Sequence, residues 1–223
     1  MKIMLNSNDL QRQLQVLLIN GSPNREGCTY TALGIVAEEL NNAGVETNLI
    51  WVGNKPVSGC IICGSCKESD SGRCALDGDG VNAALELAEK ADGFVFGSPV
   101  HYASACGAIA SFLDRMFFAG KGEYFAHKPG AAVASCRRSG GSAAVDRLNK
   151  YFTISQMPVV SSYYWNVVHG NTPDELMKDL EGVVILRTLG RNMAYTLRCI
   201  EAGRAAGINL PESVPRARTN FIR

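Results

Sequence analysis

Apolar and polar positions along the chain switch repeatedly between two periods. The first apolar run, Gln15-Val-Leu-Leu-Ile-Asn20, stops at Gly21-Ser22-Pro23, as a buried strand does where it meets a turn. A helical period follows, with Leu33, Val36, Ala37 and Leu40 on one face and Gly44 placed to close the helix. The alternation then continues. Val45 to Val52 predicts a second strand, and Val81, Leu85 and Ala88 a helix. Gly93 to Gly97 predicts a third strand, breaking at Ser98-Pro99, and Ile109, Phe112, Leu113 and Met116 mark the next helix. Gly130 to Ser135 predicts the fourth strand, and Val145, Leu148 and Phe152 its helix. A fifth strand is expected from Pro158 to Tyr164, extending toward Val168. Thr172-Pro173-Asp174-Glu175 opens the last helical region, with Pro173 suited to the first helical position. That region runs, with a break near Gly182, to about Ala206.

Five strands alternating with helices predict an α/β fold. Right-handed crossovers place helices on both faces of a parallel, doubly wound sheet. No internal repeat and no low-complexity linker divides the 223 residues, so one domain over 1–223 is expected, with its core at about 15–206. One stretch departs from the pattern. From Gly53 to Asp79 the chain is rich in Gly, Ser, Cys and Asp, too long for a plain connector, and reads as a functional insertion.

Charge narrows the partners. A formal net charge of +1 gives no electrostatic footprint for nucleic acid or an anionic membrane, and Arg216 and Arg218 are too few for a basic tail. Met1 to Leu14 lacks the apolar core of a signal peptide, and no apolar run is long enough to span a bilayer. A cytoplasmic location is expected. There the eight cysteines are not structural disulfides. Cys28, Cys106, Cys136 and Cys199 are scattered and read as small buried thiols.

In doubly wound sheets ligands bind beyond the carboxyl ends of the strands. Three loops here leave strand ends. Gly21 to Thr29 sets hydroxyls and free N–H groups at the start of a helix, an arrangement suited to a phosphate. No Gly-Lys-Ser/Thr and no Gly-x-Gly-x-x-Gly is present, which favours a monophosphate over a triphosphate or pyrophosphate. The competing reading is that Ser22 and Thr29 simply cap the helix. Gly97-Ser-Pro-Val-His-Tyr-Ala-Ser104 offers an aromatic wall and backbone groups for a planar ring, or else a surface turn whose tyrosine packs on the next helix. Ser135-Cys-Arg-Arg-Ser-Gly-Gly-Ser142 permits close backbone approach to a ligand, and Arg137 or Arg138 suits a nicotinamide phosphate, although exposed arginines at loop tips are common.

Within the insertion, Cys60-x-x-Cys63-x-x-Cys66 is followed by Cys74. Two-residue gaps let successive thiolates reach neighbouring irons of one cubane, whereas zinc sites usually use two separated pairs. A loop of reduced thiols, or a labile disulfide within Cys-Ile-Ile-Cys or Cys-Gly-Ser-Cys, stays open beside the [4Fe–4S] reading.

The three loops carry a resemblance. Gly21-Ser-Pro-Asn-Arg-Glu-Gly-Cys-Thr-Tyr-Thr31, Gly97-Ser-Pro-Val-His-Tyr-Ala-Ser104 and Asp114-Arg115 resemble the NAD(P)H-dependent FMN reductases of the flavodoxin-like superfamily, iron–sulfur flavoproteins and flavodoxin-type quinone reductases included. The likeness runs from about Val16 to Ala206, and Gln156 to Gly170 looks like a bacterial subgroup. It implies a flavodoxin-like five-stranded sheet of order 2-1-3-4-5. Ser22, Asn24, Cys28 and Thr29 would hold the FMN phosphate. Pro99, Val100, His101 and Tyr102 would line the isoalloxazine edge, and Ser135, Gly140 and Gly141 would close the other side. His101 stands where many relatives carry an aromatic ring, and Cys28 where many carry Asn or Ser. Trp165, Asn166 and His169 would face the substrate pocket, or else pack in a core or interface. Cys60, Cys63, Cys66 and Cys74 resemble the cluster-binding run of iron–sulfur flavoproteins. A homodimer or homotetramer is implied.

No side-chain nucleophile is needed, since flavin N5 carries the chemistry. The implied function is an FMN-dependent oxidoreductase passing electrons from NAD(P)H to flavin, quinone or another small-molecule acceptor. The alternative is an FMN and iron–sulfur electron carrier serving a ferredoxin-type partner. A sensor would want an output domain, and a response regulator would want acidic strand ends where this chain has Asn20-Gly-Ser-Pro.

Overall fold

Strand β1 (Gln15–Asn20) lies between β2 (Glu46–Trp51) and β3 (Gly93–His101), and β3 continues the sheet through β5 (Gly130–Cys136) to β6 (Val167–His169). All of these pairs are parallel, and the order β2-β1-β3-β5-β6 is the expected 2-1-3-4-5. The computed structural model describes residues 12–215, 217, 219 and 220. Most of the segment read for a signal peptide (residues 1–11), together with Arg216 and Arg218, lies outside the described residues. No helix among the described residues is long and apolar enough to cross a membrane.

The unbroken apolar runs follow from burial on both sheet faces. In β1, Leu17 and Ile19 pack into the layer of helices α3 (Val81–Lys90), α4 (Gly107–Ala119) and α5 (Gly141–Ile154), with Leu85, Phe112 and Leu148. Val16 and Leu18 face the opposite layer, where α1 (Cys28–Asn42) and α7 (Leu180–Ala205) bring Leu33, Val36, Leu186 and Met193. Close approach is tight at Gly130, where an added Cβ would sit 2.4 Å from the buried Phe152 ring. Gly130→Ala is therefore expected to destabilise by about 1–3 kcal/mol through overpacking, seen as a lower urea midpoint at unchanged slope.

Three sequence expectations are corrected. The third strand does not break at Ser98-Pro99 but runs on to His101 and turns back through β4 (Ser104–Ala105), antiparallel to it. Pro99 is tolerated because β1 pairs with β3 only as far as Gly97, so that flank of β3 is a free edge at Pro99. The fifth strand is not continuous from Pro158. Val160 N–H donates to Gly130 O and Gly130 N–H to Pro158 O, both at 2.9 Å, and regular pairing resumes only at Val167. Between them the chain leaves the edge, and side chains take over the hydrogen bonding. Asn166 Nδ2 donates to Ala132 O at 3.0 Å, while the Ser162 hydroxyl meets Tyr164 O and Asn166 Oδ1 at 2.7 and 2.8 Å. Tyr163, Tyr164 and Trp165 are thereby pushed into solvent beside the carboxyl end of the sheet.

The last helical region breaks earlier than Gly182. α6 (Pro173–Leu176) ends ahead of Asp179, whose Oδ1 accepts Gly182 N–H at 3.0 Å and caps α7. Gly182 lies inside α7, where a Cβ would meet Asp179 and Val168. The insertion, loop over most of its length, contains the short helix α2 (Ser65–Glu68), entered through Gly64 at φ +81°.

Candidate functional site

The three loops meet at the carboxyl ends of β1, β3 and β5. The first is held by Asn20, a fully buried residue without a role in the sequence reading. Its Oδ1 accepts Ser22 N–H at 3.0 Å, and its Nδ2 donates to Arg25 O at 3.1 Å. Trp51 Nε1, at the end of β2, donates to Ser22 O at 2.7 Å, and Arg25 lies over the Trp51 ring. The Ser22 hydroxyl accepts Asn24 N–H at 3.1 Å. The loop is thus shaped from within before α1 begins.

At the start of α1, Gly27 occupies the cap position, and no side chain among the described residues caps the helix. The helix-capping alternative for Ser22 and Thr29 therefore fails. The Thr29 hydroxyl instead meets the Ser135 hydroxyl at 2.8 Å, a buried pair tying the first loop to the third. Cys28 donates from Sγ to Gly170 O at 3.5 Å, and burial pushes its thiol up, against the lowering pull of its own backbone N–H. A neutral thiol adds no negative charge here. The first-turn N–H groups of α1, which have no partner within the helix, face the loop with the positive end of the helix dipole.

In the second loop Pro99 and Val100 are half-buried, whereas His101 and Tyr102 are exposed. Tyr102 has φ +60°, a left-handed turn that holds its ring out in solvent rather than on the next helix. The strand end is anchored from below. The Ser98 hydroxyl accepts Cys106 N–H at 3.0 Å and donates to Pro99 O at 2.8 Å, and Cys106 Sγ donates to Gly21 O at 2.9 Å. In the third loop Gly140 has φ +88°, and a Cβ there would lie 2.8 Å from Val100 Cγ1. A Cβ on Gly141 would strike Val167 at 2.4 Å. Both glycines therefore set how closely the third loop approaches its neighbours. Ser135 lies below this loop in the hydroxyl pair with Thr29.

Beside the third loop, at the ends of β5 and β6, lies a cavity of about 270 Å³ lined by Arg138, Trp165, Val167, His169 and Ile185 among others. Trp165 and His169 reach it. Asn166 does not, being buried in its bonds to Ala132 and Ser162. Asp179 Oδ2 accepts His169 N–H at 2.8 Å and stands 3.3 Å from His169 Nδ1.

The cysteine loop folds over α4. Cys60, Cys63, Cys66 and Cys74 all line one small cavity of about 20 Å³, with Leu76, Arg115 and Phe118. No three His, Cys, Asp or Glu side chains among the described residues are grouped to hold one metal ion. The four thiols line one void that, at about 20 Å³, has room for about one water and would have to open to admit a larger group. Cys63 is exposed and its thiol is lowered by hydrogen bonds from the Ser65 hydroxyl and backbone. Arg115 of α4 is 1% exposed. It donates from Nε to Cys74 Sγ at 3.3 Å and from its Nη atoms to Ser58 O, Leu76 O and the Asp79 carboxylate. Sequence reading noted Arg115 only as part of a motif. A charged residue at a core-facing position of an apolar helix was the available signal.

The family model described as NADPH-dependent FMN reductase matches residues 14–172. An iron–sulfur flavoprotein of Methanocaldococcus jannaschii is 31% identical over 199 residues, 84% of this chain and 100% of that protein. Among solved structures, RosB with bound 8-demethyl-8-formylriboflavin-5'-phosphate superposes with a TM-score of 0.64 at 15% identity, over 94% of this chain and 92% of that one. A flavodoxin, WrbA-like protein from Agrobacterium tumefaciens superposes with a TM-score of 0.56 at 16% identity, over 84% of this chain and 98% of that one. These two likenesses show the fold.

Proposed function

Because the chain belongs to the NADPH-dependent FMN reductase family, we propose that it oxidises NAD(P)H and passes the electrons to free flavin, a quinone or another small acceptor. The observation that carries this is the uncapped first turn of α1, with the other two loops gathered beside it. FMN, when bound, supplies a centre that takes a hydride and releases electrons singly or in pairs. The chain's own residues bind and orient. Main-chain N–H groups from Cys28 onward and the side chains of Ser22 and Asn24 hold the phosphate. Thr29 and Cys28 steady this seat through Ser135 and Gly170, and the neutral Cys28 leaves the dianion unopposed. Pro99, Val100, His101 and Tyr102 form one wall of the ring site, and Gly140 and Gly141 the other.

Cys60, Cys63, Cys66 and Cys74 would hold a [4Fe–4S] cluster. The gathering of all four cysteines around one small void supports this, as does the name iron–sulfur flavoprotein borne by the relatives. The same feature favours a second reading, in which the chain carries electrons between FMN, the cluster and a ferredoxin-type protein partner. In either reading the protein works in the cytoplasm as a homodimer or homotetramer.

Anaerobic purification with an absorption spectrum, iron and sulfide assays, and NADH and NADPH oxidation with several acceptors tests both. The enzyme reading expects FMN near one per chain and turnover with at least one acceptor. Bound FMN without turnover, but with reduction by ferredoxin, favours the carrier. Absence of iron and sulfide removes the cluster.

A further inference from the structure

We propose that the cavity beside the third loop takes the adenosine half of the pyridine nucleotide, with Trp165 against the base and Arg138 at a phosphate. This rests on the reading of NAD(P)H as electron donor and adds where its non-reacting half is held.

The aromatic wall comes first. Tyr164 and Trp165 meet edge to face at 4.8 Å, and Trp165 is 57% exposed although it lines a concavity. They are there because Ser162 and Asn166 pull the intervening chain off the sheet edge, leaving both rings more than half exposed at the cavity wall. A large apolar ring held open in this way suits a planar ligand. Below it, Val167 and Ile185 form an apolar floor.

The rim sorts charges. Arg138 supplies a planar cation suited to phosphate, and it stands on the loop whose Gly140 and Gly141 also bound the ring site. On the other side Glu181 offers an acceptor for sugar hydroxyls or an exocyclic amine. Asp179 is an anion, but both its oxygens are turned toward backbone donors of its own neighbourhood. Oδ1 accepts Gly182 N–H at 3.0 Å and Oδ2 accepts His169 N–H at 2.8 Å. A ligand with a planar ring, hydroxyl donors and an anion is a nucleoside phosphate. A cavity of about 270 Å³ lies near the lower end for small-molecule sites and matches half of a dinucleotide rather than the whole. Since the same glycines bound both spaces, the nicotinamide half is left on the side of the flavin loops.

The test is calorimetric titration of the purified protein with adenosine 2′,5′-bisphosphate, which cannot donate hydride. Binding is expected to weaken at least about tenfold in Arg138→Ala, from loss of a charge-assisted contact, and about tenfold in Trp165→Ala, from loss of stacking. Arg137→Ala is the control. It removes the same charge from the adjacent residue, whose side chain does not line the cavity, and should change binding less than about threefold, as expected of screened surface charge. All three positions are exposed, so the variants should fold, and their FMN content should equal the parent's. No binding at millimolar probe, equal losses in the two arginine variants, or unchanged binding in Trp165→Ala would overturn the assignment. The probe arm is read apart from turnover. A protein that binds the probe through Arg138 and Trp165 yet never oxidises NADPH would sink the donor reading and keep the cavity's.

Discussion

Gly27→Asp should give a folded protein that has lost FMN. Gly27 sits at the cap of α1 with φ −85° and ψ −167°, extended backbone that any residue adopts. Glycine is already a fair cap, so aspartate changes the stability of the flavin-free protein by only a few tenths of a kcal/mol. The new Cβ would lie 3.1 Å from Asn24 Cβ, and Asn24 is on an exposed loop that can yield by that amount. The carboxylate, however, takes up the first-turn N–H groups and sets a negative charge at the proposed phosphate seat. Charge-assisted hydrogen bonds are worth about 1.5–3 kcal/mol each. FMN affinity should fall about a hundredfold, or about 2.7 kcal/mol. Urea unfolding of the flavin-free variant and FMN titration separate the two effects. A variant that binds FMN as the parent does would place the phosphate elsewhere.

Arg115→Ala should have the largest effect on stability, toward the lower end of about 3–5 kcal/mol, because it removes the buried partner of an ion pair whose other member, Asp79, is partly exposed. Asp79 then loses its guanidinium, and Ser58 O, Leu76 O and Cys74 Sγ lose a shared donor. Native stabilities of about 5–15 kcal/mol leave little margin for this. Ser58 precedes the first cysteine of the loop and Leu76 and Asp79 follow the last, so the arginine fastens both ends to α4. Asp79→Asn should cost less, since an amide oxygen still accepts a hydrogen bond. Urea midpoints, with limited proteolysis of residues 58–79, check both. An Arg115→Ala protein as stable as the parent, with its cysteine loop still protected, would remove the clasp.

Elements buried on both faces were the most legible. The β1 run and the α4 face of Ile109, Phe112, Leu113 and Met116 are apolar because each position is inside, and the periods report that directly. The fifth strand misled for the opposite reason. Val159, Val160, Tyr163 and Tyr164 look like strand residues, but the Ser162 hydroxyl and Asn166 amide supply the edge bonds that backbone would have made, and no hydrophobic count registers this. Pro99 read as a stop although it lies past the point where β1 pairs with β3. At the site, spacing found the cysteines and turn chemistry found the phosphate loop. Trp51 and Arg115 escaped because each reaches a backbone carbonyl far away in sequence, and Asn20 because it shapes its own turn from inside, as a buried polar residue at the end of an apolar run. The resemblance assigned Thr29 and Ser135 separate ligand roles, whereas the structure joins them to each other.

The proposed function depends on the opening of α1 as the seat of the FMN phosphate. Titrating the flavin-free protein with FMN and, in parallel, with riboflavin measures that seat alone, because the two ligands share the ring system and differ by the phosphate. FMN should bind more tightly by at least about a hundredfold, in line with two or more charge-assisted hydrogen bonds. Equal affinities would mean that the ring alone is recognised, and would contradict it.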